Sequence, residues 1–462
     1  MATRAKSAST DEVLQLASDV ARRYVSTSRV RRVSPAEGDL RALSRLHEPF
    51  PEGPCDPGKV VRLLDEVGSP ATVVPTGGRY FGFVNGGTLP AALGANWLAG
   101  AWDQNACLRV MSPIAAELED VLRYWICDAL GLPTGCEIGL VTCATAANFT
   151  AMIAARHALL ARAGWHVEEE GLFGAPPIDV VVGGEIHASM LKALTMAGFG
   201  KKRLKIVEAD GQGRMIPQKL PKLGPNTIVC VQAGNVNSGS FDPAAEICAR
   251  AKEVGAWVHV DGAFGLWVKA SPKYRHLADG FEQADSWATD AHKWPNVTYD
   301  CGIVIVKDAH ALRAAMTLTA EYLQGGSKRE PTYQTPDASR RARGVELWAA
   351  LKSLGRQGLA DLIDRTCAHA QRFAAGMRSA GFEVLNDVVI NQVLVSFGSV
   401  QETEAVIRRV QEEGTCWCGG TVWQGRKAMR ISVSSWATTE EDVQQSLAAI
   451  VRIAAECRRA SR

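Results

Sequence analysis

The stretch Ala256-Trp257-Val258-His259-Val260-Asp261-Gly262-Ala263 decides how the rest of the chain is read. Ala256 to Val260 is a short apolar run with β-branched residues, the pattern of a strand covered on both faces. It ends on a carboxylate followed by two small residues. Working outward, Pro243 to Val254 reads as a helix and Thr227 to Val231 as a second buried strand. Ile178 to Val182 and Leu204 to Val207 read as further buried strands. Ile138 to Thr142 is another, followed by a helix from Ala146 to Ala163. On the far side, Ser286 to Thr289 and Gly302 to Val306 repeat the strand pattern. Near-continuous apolar strands alternating with helices predict an α/β domain around a mostly parallel sheet. Ligands of such sheets bind beyond the carboxyl ends of the strands, where Asp261 stands.

Composition narrows the class. The chain has 462 residues, 47% hydrophobic and 22% charged, close to the average of globular proteins and long enough for two or three domains. Fifty-one Lys and Arg against 49 Asp and Glu give a net charge of +2, which argues against a nucleic-acid binder held by phosphate contacts. The 12 Cys are scattered, with no CxxC pair; Cys416 and Cys418 form a CxC with no His beside it. Free thiols in a reducing compartment are expected, with no metal site, and the cytoplasm is the default location. No apolar run reaches the ~18 residues of a membrane span.

Three parts are expected along the chain. Residues 1–75 begin with helical spacing (Val13, Leu16, Val20, Tyr24; Leu40, Leu43, Leu46) and pass through a Pro-rich linker, Pro49 to Pro54. Residues 76–345 hold the alternating strands and helices. Residues 346–462 read as a smaller α+β domain: a helix from Val345 to about Ala380, strands at 382–385 and 388–397, a helix at 402–413, a strand at 429–433 and a last helix at 440–455. Between the second and third parts, residues 324–344 are polar and rich in Gly, Pro and charge, the composition of a long loop that often serves as a lid.

Four short segments carry chemistry. Asp290-Ala291-His292-Lys293-Trp294 follows a strand and sets a Lys beside bulky apolar groups, so its amine is a candidate for Schiff-base formation. Asp261 can hold a protonated ring nitrogen, and Gly262 and Ala263 let a flat ring approach the backbone. Val141-Thr142-Cys143-Ala144-Thr145 joins a strand to a helix, where free N–H groups and the Thr145 hydroxyl can bind phosphate. His187, in Gly184-Glu185-Ile186-His187-Ala188-Ser189, can stack on a ring. Neither GxxxxGK[ST] nor GxGxxG occurs at the phosphate turn, which speaks against ATP and dinucleotides. Together the four meet the needs of pyridoxal 5′-phosphate (PLP): a phosphate cradle, an aldehyde-binding Lys, a carboxylate for the pyridine nitrogen and flat partners for the ring.

The chain resembles the group II pyridoxal-phosphate-dependent amino-acid decarboxylases, over about residues 70 to 450. The resemblance rests on Thr289 to Trp294 with Asp300-Cys301-Gly302, which looks like the family's HKW…(F/Y)DC block, and on His259 to Gly265, which looks like its HVDAA(Y/F)xG block. Phe241-Asp242-Pro243 and the run from Ser112-Pro113 through Leu118-Glu119 to Leu130-Gly131-Leu132-Pro133 also match. The resemblance implies a fold-type I architecture, with a mostly parallel seven-stranded large domain and a small C-terminal α+β domain. It also implies a homodimer with shared active sites, whose N-terminal segment packs on the partner.

It further implies roles. Lys293 would link covalently to PLP, Asp261 would pair with the ring nitrogen, and Ala263 and His187 would flank the ring. The Ala144 backbone and Thr145 would hold the phosphate, helped by Asp290 or His292. Many members have Asn where this chain has Asp290, and a carboxylate facing a phosphate is repulsive. A lid Tyr would protonate the substrate carbon; Tyr333 is the first candidate and Tyr322 the second. Phe83 and Asn85, within Tyr80 to Gly87, would line the substrate pocket; Arg430 is a candidate to meet a carboxylate or, equally, to form a surface or interdomain ion pair. The expected reaction is decarboxylation of an L-amino acid, with an aromatic or other apolar side chain favoured, to an amine and CO₂. The alternative is an aldehyde synthase or aminotransferase on the same fold.

Overall fold

The computed structural model describes residues 7–317 and 328–460. Seven strands build the main sheet: β1 (Glu137–Val141), β2 (Asp179–Gly183), β3 (Lys205–Val207), β4 (Thr227–Gln232), β5 (Trp257–Asp261), β6 (Ser286–Asp290) and β7 (Gly302–Val306). Their order is β1-β7-β6-β5-β4-β2-β3. All run parallel except β7, which is antiparallel to both neighbours. Every residue of β4, β5, β6 and β7 is buried, as two-sided coverage requires. This is the mostly parallel seven-stranded arrangement read from the sequence.

One expectation needs correcting. The apolar run Leu204 to Val207 predicts a buried strand, yet β3 is the sheet edge and Ile206 is 72% exposed. A three-residue β-rich run looks alike at an edge and in the centre, because the chain does not say which strand lies beside it.

The helix Ala144–Arg162 covers the middle of the sheet with Ala147, Ala151, Ala154 and Ala155, side chains small enough to bring its axis close. Its N-terminus points at the carboxyl ends of β5 and β6. On the other face, Trp267, Trp287 and Trp294 are fully buried. Four strands form a second, antiparallel sheet in the order β10-β11-β9-β8: β8 (Glu383–Val384), β9 (Gln392–Ser396), β10 (Gly419–Trp423) and β11 (Arg426–Ser432). The helices Val400–Glu413 and Glu440–Ala460 pack on it around Phe373, Phe397, Met429 and Ile453. β10 had no signal in the sequence, since Gly419-Gly420 lowers strand propensity and the strand is an edge. The long helix Gly344–Ser379 joins the two sheets and is interrupted at Gly355, where φ is +61°.

The loop expectation also changes. Of residues 324–344, the described part is packed rather than solvated: Pro331, Thr332, Tyr333 and Gln334 form a buried 3₁₀ turn beside β1, and Arg340 is buried with Glu119. Its charges are used inside, in ion pairs of Arg329 with Glu119 and Glu137, and its composition therefore resembled a surface segment.

At the N-terminus the helix Thr10–Thr27 starts with a capping box, Ser9 and Glu12, and buries none of its residues. Leu14, Val25, Leu40 and Phe50 are all exposed. No described helix is long and apolar enough to cross a membrane.

Candidate active site

Asp261 closes β5. It is 4% exposed; among the described residues its Oδ1 meets only the Ala263 N–H at 3.3 Å, and Oδ2 is buried with no hydrogen-bond partner. Burial raises its pKa above the usual carboxylate range, partly offset by His187 and Lys293. Two residues back on the same face, His259 braces the strand. Its rings' nitrogens meet Ser286 Oγ at 2.9 Å and Asn148 Oδ1 at 2.8 Å, tying β5 to β6 and to the covering helix. Burial lowers the His259 pKa to about 3, so this imidazole is neutral.

Lys293 follows β6. Its Nζ lies 3.0 Å from Asp290 Oδ2, so the amine sits in an ion pair rather than among apolar groups as its neighbours in sequence suggested. The turn that carries it is pinned from below. Trp294 is fully buried and donates to Thr366 Oγ1 at 2.8 Å, and Asn296 accepts the N–H groups of Gly87 and Trp436. Gly86 lies directly against the Lys293 carbonyl: a Cβ there would stand 2.0 Å from the oxygen. Gly86→Ala is therefore expected to displace the lysine turn and destabilise the protein by about 1–3 kcal/mol. A lower unfolding temperature together with a weakened absorbance band of bound cofactor is the result to look for.

At the phosphate turn, the Ala144 N–H donates to Asp290 Oδ1 at 2.6 Å. The Ala144 backbone, expected to meet a phosphate, thus has its one hydrogen bonded to Asp290. Thr145 is half-buried on the next position of the same helix start. Gly302 lets this turn approach β7, since a Cβ there would fall 2.5 Å from the Cys143 carbonyl carbon. His292 accepts the Cys301 N–H on Nδ1 at 3.1 Å, has Nε2 3.7 Å from Asp290 Oδ2, and stacks on Tyr299 with ring centroids 4.3 Å apart.

His187 caps the helix Ala188–Met196. Its Nδ1 accepts the Ser189 N–H at 3.2 Å and lies 2.6 Å from Ser189 Oγ, which leaves the ring proton on Nε2. Burial lowers its pKa, and the charges that act on it are Asp261, Lys293, Arg430 and Asp290. The structure thus gathers His187, Asp261, Asp290, His292 and Lys293 around one point at the carboxyl ends of β5 and β6, with Ala263 and Thr145 beside them.

Tyr333 is elsewhere. Its ring packs under the Arg313 guanidinium at 4.9 Å and is 8% exposed, in the turn against β1. Tyr322 lies outside the described residues. Sequence reading also missed three neighbours of the site. Tyr299 donates to Asn85 Oδ1 at 2.9 Å. Trp417, from the small domain, stacks on Tyr80 at 5.1 Å and lies 5.3 Å from the Phe83 ring. Gly86 had only its place in a glycine-rich segment to mark it. Phe83 itself is 60% exposed with φ +52°, and Val84 follows at φ +61°. Asn235 spends its side-chain oxygen on the N–H groups of Asn237 and Ser238, so it closes a turn. Arg430 donates to the Val236 carbonyl at 3.3 Å and to Asn237 Oδ1 at 3.4 Å.

These residues fit PLP. The orphaned Oδ2 of Asp261 is a buried acceptor with no donor among the described residues, and a donor is what a protonated ring nitrogen supplies. Lys293 and the helix start at Thr145 stand on either side. Site and fold together define a fold-type I PLP-dependent enzyme. Comparison with known proteins narrows this further. The pyridoxal-dependent decarboxylase conserved domain matches residues 72–399, and the chain belongs to that family. Tryptophan decarboxylase 1 of Oryza sativa subsp. japonica is 27% identical over 418 residues, 80% of this chain and 78% of the relative. An acidic amino acid decarboxylase of Mus musculus is 29% identical over 322 residues, 66% of this chain and 58% of the relative. The crystal structure of Oryza sativa TDC with PLP and tryptamine superposes with a TM-score of 0.89 at 22% identity, covering 98% of this chain and 99% of that one. The protein is a PLP-dependent carboxy-lyase of amino-acid metabolism.

Proposed function

We propose that the enzyme decarboxylates an aromatic L-amino acid to its amine and CO₂. The observation that carries this is the aromatic wall formed by Tyr80, Phe83, Trp417 and Tyr299, which adjoins the Lys293 turn through Gly86 and His292. Flat apolar side chains stack favourably on such rings. Asn85, bonded to Tyr299, offers a polar tip to a hydroxyl or indole N–H. Tryptophan as the substrate named for one relative points the same way.

When bound, PLP supplies an aldehyde that condenses with amines and a ring that draws electrons from the bond being broken. The chain's residues do the rest. Lys293 Nζ would hold the cofactor through its aldehyde, beside Asp290 Oδ2 at 3.0 Å. Asp261 Oδ2 keeps the proton on the ring nitrogen, an electrostatic contribution placed where charge develops. His187, with its proton on Nε2, delivers a proton to the substrate carbon after CO₂ leaves, directly or through one water. Within one protomer Tyr333 is seated away from this group, under Arg313. The exposed apolar residues Leu14, Val25, Leu40 and Phe50 support a symmetric dimer in which the N-terminal segment covers the partner.

Phe83→Ala is expected to lower kcat/KM for the aromatic substrate about 10- to 100-fold, the value of one aromatic face covered when substrate binds, mostly through KM in steady-state assays. A second reading, an acidic substrate, is favoured by Arg430. Its guanidinium bonds only neutral oxygens among the described residues and so is open to a carboxylate. Product analysis tests the reaction type. Equimolar amine and CO₂ support simple decarboxylation, whereas aldehyde with peroxide, or keto acid without CO₂, would move the assignment to an aldehyde synthase or an aminotransferase.

A further inference from the structure

We propose that Asp290 is a built-in rival of the cofactor's phosphate and sets how tightly the enzyme retains PLP. This rests on the PLP reading above and concerns a residue which that reading leaves unexplained.

A single carboxylate here holds two donors that an incoming cofactor needs and stands close to a third. Oδ1 accepts the Ala144 N–H, the first of the 19-residue helix Ala144–Arg162, at 2.6 Å. Oδ2 lies 3.0 Å from Lys293 Nζ and 3.7 Å from His292 Nε2. A helix N-terminus attracts anions, and the anion already present is Asp290. The carboxylate has little room to withdraw. It is 2% exposed, its own N–H is fixed to the Ala263 carbonyl at 2.9 Å, and its strand is paired with Gly302 across the sheet. A phosphate arriving at Thr145 therefore meets a fixed negative charge in a site screened from water, where charges interact more strongly than in bulk solvent. The same residue bonds the helix start and pairs with the lysine. The arrangement favours exchange of cofactor over permanent retention. It also penalises the phosphorylated ligand specifically, because pyridoxal brings the same ring and aldehyde without the phosphate.

The test measures dissociation constants of PLP and of pyridoxal for the cofactor-free full-length protein, by absorbance titration, in wild type and Asp290→Asn. The amide keeps an oxygen for the Ala144 N–H and removes the charge. The expected result is a PLP constant at least about tenfold tighter in the variant, with the pyridoxal constant shifted far less, as loss of one like-charge contact implies. Inorganic phosphate should raise the unfolding temperature of the variant and leave that of the wild type nearly unchanged. Asp290→Ser should move the ratio in the same direction. A ratio of the two constants that is unchanged, or that shifts toward pyridoxal, overturns the proposal. If neither variant folds, the wild type decides, since strong stabilisation of it by inorganic phosphate also overturns the proposal. A wild type that binds no PLP would instead remove the cofactor reading itself, so the two failures are distinguishable.

Discussion

Lys293→Ala is expected to abolish the visible absorbance band of bound cofactor and to reduce CO₂ release by about four orders of magnitude or more, the scale seen when a covalent catalytic group is removed. On this proposal the amine at the end of the β6 turn is the covalent partner of PLP, and among the described residues no other lysine shares its surroundings of Asp290, His292 and Asp261. The variant should still fold, because the turn is held by Trp294, Asn296 and Gly86 rather than by the lysine side chain. An unfolding temperature close to that of the wild type, measured without cofactor, separates loss of chemistry from loss of structure. A Lys293→Ala protein that kept the band would show that another amine carries the cofactor.

The second large effect belongs to Asp261. Asp261→Asn leaves the shape of the site intact but cannot keep a proton on the ring nitrogen, and CO₂ release is expected to fall about 10²- to 10³-fold. The same substitution should act oppositely on the cofactor-free protein. Burial raises the Asp261 pKa above its ordinary value. Between the ordinary and the raised value the folded state binds more protons than the unfolded state, so stability falls as pH rises through that window. Asn carries no such charge. Without cofactor, the variant should therefore unfold at a higher temperature than the wild type at pH 8, and the difference should shrink as pH falls toward 4. Thermal unfolding across that range reads both the sign and the window. A variant less stable than wild type at pH 8 would mean that Asp261 is compensated by its surroundings even in the empty site.

The strands of the main sheet were legible because each is a compact apolar run bounded by turn residues, and each ends where a polar residue must emerge. Asp261 and Lys293 could be found for the same reason. What the chain did not show were features set by neighbours distant in sequence. β10 is an edge strand whose glycines carry no propensity, and β3 has the composition of a buried strand at an exposed edge. The segment carrying Tyr333 has the charges of a surface loop, yet those charges are consumed by Glu119 and Glu137 about 200 residues earlier. Trp417 reaches the site only because the small domain folds back onto Tyr80 and Phe83. Asp290 was visible as an oddity for a phosphate site. Its partners on both sides, the Ala144 N–H and Lys293, required the fold.

The most direct measurement is CO₂ release from the PLP-loaded protein with each of the twenty amino acids, with kcat/KM compared between the aromatic set and the acidic set. The account expects one or more of tryptophan, tyrosine and phenylalanine to be turned over at least about 100-fold more efficiently than glutamate or aspartate, as one well-packed aromatic contact set would provide. Preference for an acidic amino acid would contradict it, and would make Arg430, rather than the wall of Phe83, Trp417 and Tyr299, the group that selects the substrate.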